Sequence, residues 1–218
     1  MEKITQQKAA NILRILYPVW LIFGMFSLLY VPSTLIVKAD AEATASHIMS
    51  NEFLFRAGIA GSLITQLIFI FAVLFLYRLL EQVNKNHSLL MLIFALVSVP
   101  IAMLNELNNV AALLSLNNPE QMMFFLDLNA RGIVIASIFW GLWLFPLGSL
   151  IYWSGYFPKL IGVAVLLGGV GYTLGSFTKL LFPEYKVLVS VLEILTFGEI
   201  VFLGWLVIMG ARLPKSGS

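Results

Sequence analysis

Ile15-Leu16-Tyr17-Pro18-Val19-Trp20-Leu21-Ile22-Phe23-Gly24-Met25-Phe26-Ser27-Leu28-Leu29-Tyr30-Val31-Pro32-Ser33-Thr34-Leu35-Ile36-Val37 carries no charged side chain. At roughly 23 residues it matches the length an α-helix needs to cross the hydrocarbon core of a bilayer. It is too long for the apolar core of a signal peptide, and no small-residue cleavage site stands directly behind it, so it reads as a retained membrane helix.

Outward from this stretch the pattern repeats. Charge-free runs cover 57–77, 88–105, 132–158 and 160–178, and a further apolar run, 187–211, is broken only by Glu193 and Glu199. Of the whole chain, 60% is hydrophobic and 11% charged, at a mean hydropathy of +0.94, far from the balance of a soluble domain. The sequence therefore predicts an all-α integral membrane helical bundle of about six transmembrane helices in a single domain over 1–212. Spans are expected at about 12–37, 53–80, 88–115, 128–153, 159–181 and 187–211, with a disordered tail at 213–218. Segment 40–50, with Ala41, Ala45, Ile48 and Met49 at helical spacing behind Asp40, reads equally as a helix lying on the membrane surface or as a polar loop. Asn118-Pro119-Glu120-Gln121 supplies an N-cap, a first-turn proline and a capping glutamine before the fourth span, and Ser50 or Asn51 offers a cap to the second.

Basic residues give an orientation. Lys3, Lys8, Arg14, Arg78, Lys85, Lys159, Arg212 and Lys215 gather on one side under this count. That side, with both termini, is expected in the cytoplasm. The net charge of +2 is too small and too scattered for a nucleic-acid-binding face, and without cysteine there is no disulfide, thiolate nucleophile or cysteine-ligated metal. The two histidines, His47 and His87, fall in loops on opposite sides, and no hydrolase, zinc or phosphate-loop signature is present. No cofactor or metal is expected. The glycine series in the fifth span is no nucleotide fingerprint: Ala164, Gly168, Gly171 and Gly175 recur at i+4, i+3, i+4, a stripe for close helix packing.

Three stretches carry a resemblance: Asn51-Glu52-Phe53-Leu54-Phe55-Arg56-Ala57-Gly58, Leu76-Tyr77-Arg78-Leu79-Leu80-Glu81-Gln82-Val83-Asn84-Lys85, and Gly148-Ser149-Leu150-Ile151-Tyr152-Trp153-Ser154-Gly155-Tyr156-Phe157-Pro158-Lys159-Leu160-Ile161-Gly162. They resemble a family of bacterial multi-pass membrane proteins known as domain of unknown function 4386. The resemblance covers nearly the whole chain in order and implies a multi-pass topology and a bacterial inner-membrane origin. It implies no activity, and no site residue is carried over from it.

What remains are polar groups at one depth. Counting residues along the spans puts Arg56, Asn105, Glu106, Asn108, Asn109, Asp127, Asn129, Arg131, Lys179 and Glu193 in the outer third of five helices, with Glu199 nearer the midplane. Asn105 and Asn109 share a helix face, and Asp127 and Arg131 have the spacing of an intrahelical ion pair. Glu106 and Glu193 lack a basic residue on their own helices, and a carboxylate in hydrocarbon costs a few kcal/mol. They are expected to share an inward polar pocket with Arg56 or Arg131. Glu199 reads either as a hydrogen-bonded core residue or as a step in a proton relay. The leading expectation is a protein that binds or moves a small molecule or lipid in that pocket. The competing ones are an intramembrane enzyme using a glutamate as acid or base, and an accessory or sensor subunit docked through the glycine stripe. Membrane lipids, and a homo-oligomer or second membrane protein, are the expected partners.

Overall fold

The computed structural model describes residues 5–213, so Lys3, Lys215 and the tail beyond Leu213 lie outside the described residues. These residues form seven helices and no strand: α1 Gln6–Leu35, α2 Ala41–Ser50, α3 Glu52–Leu80, α4 Lys85–Leu114, α5 Pro119–Ser154, α6 Lys159–Leu181 and α7 Lys186–Ile208. All but α2 are long and apolar enough to span a membrane, six in all. Only a helix satisfies its own backbone in lipid, which is why each charge-free run takes this form.

The helix ends follow the local chemistry. Asp40 Oδ1 accepts from the Ala43 N–H at 2.9 Å and so starts α2, and Asn118 Oδ1 accepts from the Gln121 N–H at 3.2 Å at the head of α5. The Asn51 side chain instead donates to the His47 carbonyl at 3.1 Å, closing α2 rather than capping α3. Asn84, a cap not anticipated, accepts from the His87 N–H at 3.0 Å. Segment 41–50 is a helix whose Thr44, Ala45 and Ile48 are buried, while Met49 points outward. Helix α5 starts at Pro119, well before the expected 128, because its polar first turns are helical too. Within α1, Phe26–Tyr30 is a π turn.

The chain divides into two compact units. The first takes the residues up to Pro18, Ile70–Ser98, and Val134 onward. Glycine sets its packing. A Cβ built on Gly171 would lie 2.5 Å from the Leu192 carbonyl oxygen, and one on Gly198 would overlap the Ala164 carbonyl, so α6 and α7 meet backbone to backbone. On another face of α6, Gly162 and Gly169 approach the carbonyls of Gly148 and Gly141 on α5. Arg14 donates to the Val207 and Ile208 carbonyls at 3.0 and 3.3 Å, satisfying the C-terminal end of α7.

The second unit takes Val19–Phe69 and Val99–Ile133. Its apolar core joins Val31 and Leu35 of α1, Ala45 and Ile48 of α2, Phe55 of α3, Ala112 of α4, and Met122 and Leu126 of α5. Gly58 of α3 lets Val31 close in, since an added Cβ would meet Val31 Cγ1 at 2.9 Å.

Candidate functional site

The polar residues of the second unit form one network. Glu106 on α4 is buried, and its two carboxyl oxygens are held separately: Ser62 Oγ of α3 donates to Oε1 at 2.6 Å, and Asn109 Nδ2 donates to Oε2 at 2.7 Å. Beside it, Asn105 Nδ2 donates to the Asn129 carbonyl of α5 at 2.8 Å, and Asn129 Nδ2 donates back to the Asn105 carbonyl at 3.1 Å. This reciprocal pair fixes α4 against α5 and sets the rotation that turns Glu106 inward. Gly132, one turn beyond Asn129, is needed there because a Cβ would overlap the Asn105 amide. Asn108 Nδ2 donates to Asn105 Oδ1 at 3.0 Å, completing the side chain.

Glu106, Asn109, Asn129 and Ser62 line a cavity of about 200 Å³. The π turn contributes Ser27 and Leu28, and the rest of the wall is apolar, with Val31, Ile36, Phe55, Ile59, Leu126 and Ile133. A π turn admits one extra residue and recurs where a helix is shaped for function. Ser27 Oγ donates to the Phe23 carbonyl at 2.6 Å, tying up a backbone acceptor next to the wide turn.

Several expected juxtapositions are not formed. Glu106 and Glu193 do not share partners: Glu193 belongs to the first unit, where Lys179 Nζ lies 2.8 Å from its Oε1 and both side chains are substantially exposed. Arg56 pairs with Glu52, one turn away on α3, at 2.6 Å. Neither Arg56 nor Arg131 lines the cavity. Asp127 and Arg131 are both exposed and form no ion pair, despite their spacing. Neutral donors thus replace the expected cations at Glu106, because a hydroxyl and an amide satisfy a carboxyl without burying a second charge. Glu199 is buried in the first unit, and the Tyr172 hydroxyl of α6 donates to it, the arrangement of a hydrogen-bonded core residue. The stripe Ala164, Gly168, Gly171 and Gly175 faces α7 of the same chain, so it is not available as a docking face.

Ser62 and Ser27 were not anticipated as site residues. Ser62 could have been found from Ser62 and Gln66, an i, i+4 polar pair on an otherwise apolar stretch of α3. Ser27 gave no signal, because a π turn has no periodicity of its own.

A chain of six membrane-length apolar helices, with a buried carboxyl facing a cavity, defines a multi-pass α-helical membrane protein. Residues 15–210 match the family described as a domain of unknown function (DUF4386), and the chain belongs to that family. It is also similar to a protein of Archaeoglobus fulgidus described as uncharacterized, with 34% identity over 140 residues, 64% of this chain and 75% of the relative. No solved structure matches the chain.

Proposed function

We propose that this protein binds a small molecule inside the membrane, in the cavity of the second unit, as a carrier or a membrane sensor does. One observation carries the reading: an otherwise apolar cavity holds a single buried carboxyl, fixed from both sides by Ser62 and Asn109. Such a cavity, mostly apolar with a few convergent polar groups, is the usual form of a small-ligand site. A carboxyl placed there only to join helices would meet helix partners and no open space. Catalysis is a weaker fit, since Arg56 and Arg131 do not line the cavity and cannot hold an anionic headgroup beside Glu106.

Native mass spectrometry of the purified protein tests the binding. A retained non-lipid mass is expected in the wild type and should be lost in Ile59→Trp, which fills the cavity; retention in a folded Ile59→Trp variant overturns the site. We further propose that both termini lie in the cytoplasm, because Arg78, Lys85 and Lys159 flank the short connections on that side; the bacterial inner membrane is the reading that the family resemblance supports. Reporter fusions after Leu213 and within 38–50 should then read opposite sides, and a common side overturns that orientation.

A further inference from the structure

Resting on that reading and going one step further, we infer that the occupant of the cavity is a compact organic ammonium, a protonated primary amine on a short apolar body. The argument is an inventory of donors and acceptors. Glu106 is acceptor-only when ionised and has about four lone-pair positions. Ser62 and Asn109 use two of them, leaving acceptor capacity on each oxygen. With Glu106 ionised the amide orientations follow, because Asn109 faces a carboxylate and Asn129 faces a carbonyl, so each turns its NH2 to that partner. Their carbonyl oxygens therefore remain without hydrogen bonds among the described residues while both residues line the cavity. Both serine hydroxyl protons are already committed, Ser62 to Glu106 and Ser27 to Phe23. The Asn109 and Asn129 amides each keep one further N–H besides the one committed, so neutral donors and acceptors are both on offer, and the bias of the cavity comes from its one ionisable group, an acid.

An anion finds no cation there. An ammonium finds a carboxylate with unused lone pairs in a wall that also carries two amides, and a donor bonded to a charged acceptor gains roughly twice what a neutral pair does. The size agrees: about 200 Å³ exceeds the roughly 150 Å³ of a cavity that admits benzene, enough for a small organic molecule. Val31, Phe55 and Ile59 supply an apolar wall for the body of the molecule.

The test compares n-butylammonium, n-butanol and butyrate, nearly one shape with three head groups, by thermal shift of the protein in nanodiscs of phosphatidylcholine. A zwitterionic lipid avoids gathering cations at the membrane surface. Saturable stabilisation by butylammonium is expected, with butanol and butyrate at least about tenfold weaker. Glu106→Gln should weaken the amine by a similar factor and leave butanol unchanged, and Glu193→Gln should change neither. Equal binding of butyrate or butanol, or an amine response unaltered in Glu106→Gln, overturns the ammonium assignment. If that happens while the mass lost in Ile59→Trp is still retained by the wild type, the cavity stands as a binding site and only the ligand class falls. If no such mass and no probe binds, both fall.

Discussion

Gly198 brings α7 so near α6 that an added Cβ would overlap the Ala164 carbonyl, whereas α4 and α5 meet through the side chains of Asn105 and Asn129, each reaching the other's backbone. The first contact belongs to the glycine-packed first unit and the second to the unit that holds the cavity. In lipid the hydrophobic effect does not draw helices together, so close packing and hydrogen bonds must do it. Glycine contacts leave no space between helices. Amide contacts hold helices at side-chain distance, and a gap can then be lined with whatever the neighbouring positions carry. Each unit also buries a carboxyl, but Glu199 meets Tyr172 in the glycine-packed unit while Glu106 looks into open volume.

The sharpest way to break this contrast is Gly198→Leu. It should cost about 3 kcal/mol or more, because both opposing groups are backbone and cannot step aside. Gly204→Leu, on the same helix but with nothing within 4 Å of an added Cβ, should stay within about 0.5 kcal/mol. Thermal unfolding in detergent reads both, and similar losses would mean that the glycine contacts do not set the packing of the first unit.

The amide pair should come next. Asn105→Ala and Asn129→Ala should each cost about 1–2 kcal/mol, with the double variant losing clearly less than the sum, since either change leaves the other amide half-partnered. Additive losses in a double-mutant cycle would show two independent residues. Glu106→Gln is expected to move stability by less than about 1 kcal/mol, because glutamine keeps a hydrogen-bonding head at the same place. Its effect should fall on ligand binding, and a large loss of stability would recast Glu106 as a packing residue like Glu199. Smallest of all, Glu193→Gln removes a half-exposed ion pair with Lys179 and should cost at most about 0.5 kcal/mol.

The fold was legible because length and absence of charge decide it: the six long helices lie where the apolar runs are. The glycine stripe was legible for a similar reason, since i+3 and i+4 spacing alone puts Gly168, Gly171 and Gly175 on one face. The site was legible only in part. Depth counted along a helix drew attention to Glu106, Asn105, Asn109 and Asn129, which hydrogen-bond within one network, but depth says nothing of rotation. Glu193 lies at a comparable count and turns to Lys179 and the exterior, and Arg56 turns to Glu52. The assumption that a buried acid needs a base also misled, because Ser62 is a modest residue in sequence and a sufficient donor in place.

The π turn at Phe26–Tyr30 has a consequence for how this chain tolerates deletion. A π turn is what a helix becomes when it absorbs one surplus residue without changing the rest of its path. Removing a single residue such as Leu29 should therefore restore regular α-helix and leave α1 nearly as stable. Val31 would then keep its seat on Gly58, and the cavity would lose only the wide turn that carries Ser27 and Leu28. The same deletion in a regular stretch of α1 would instead turn everything after it by about 100°.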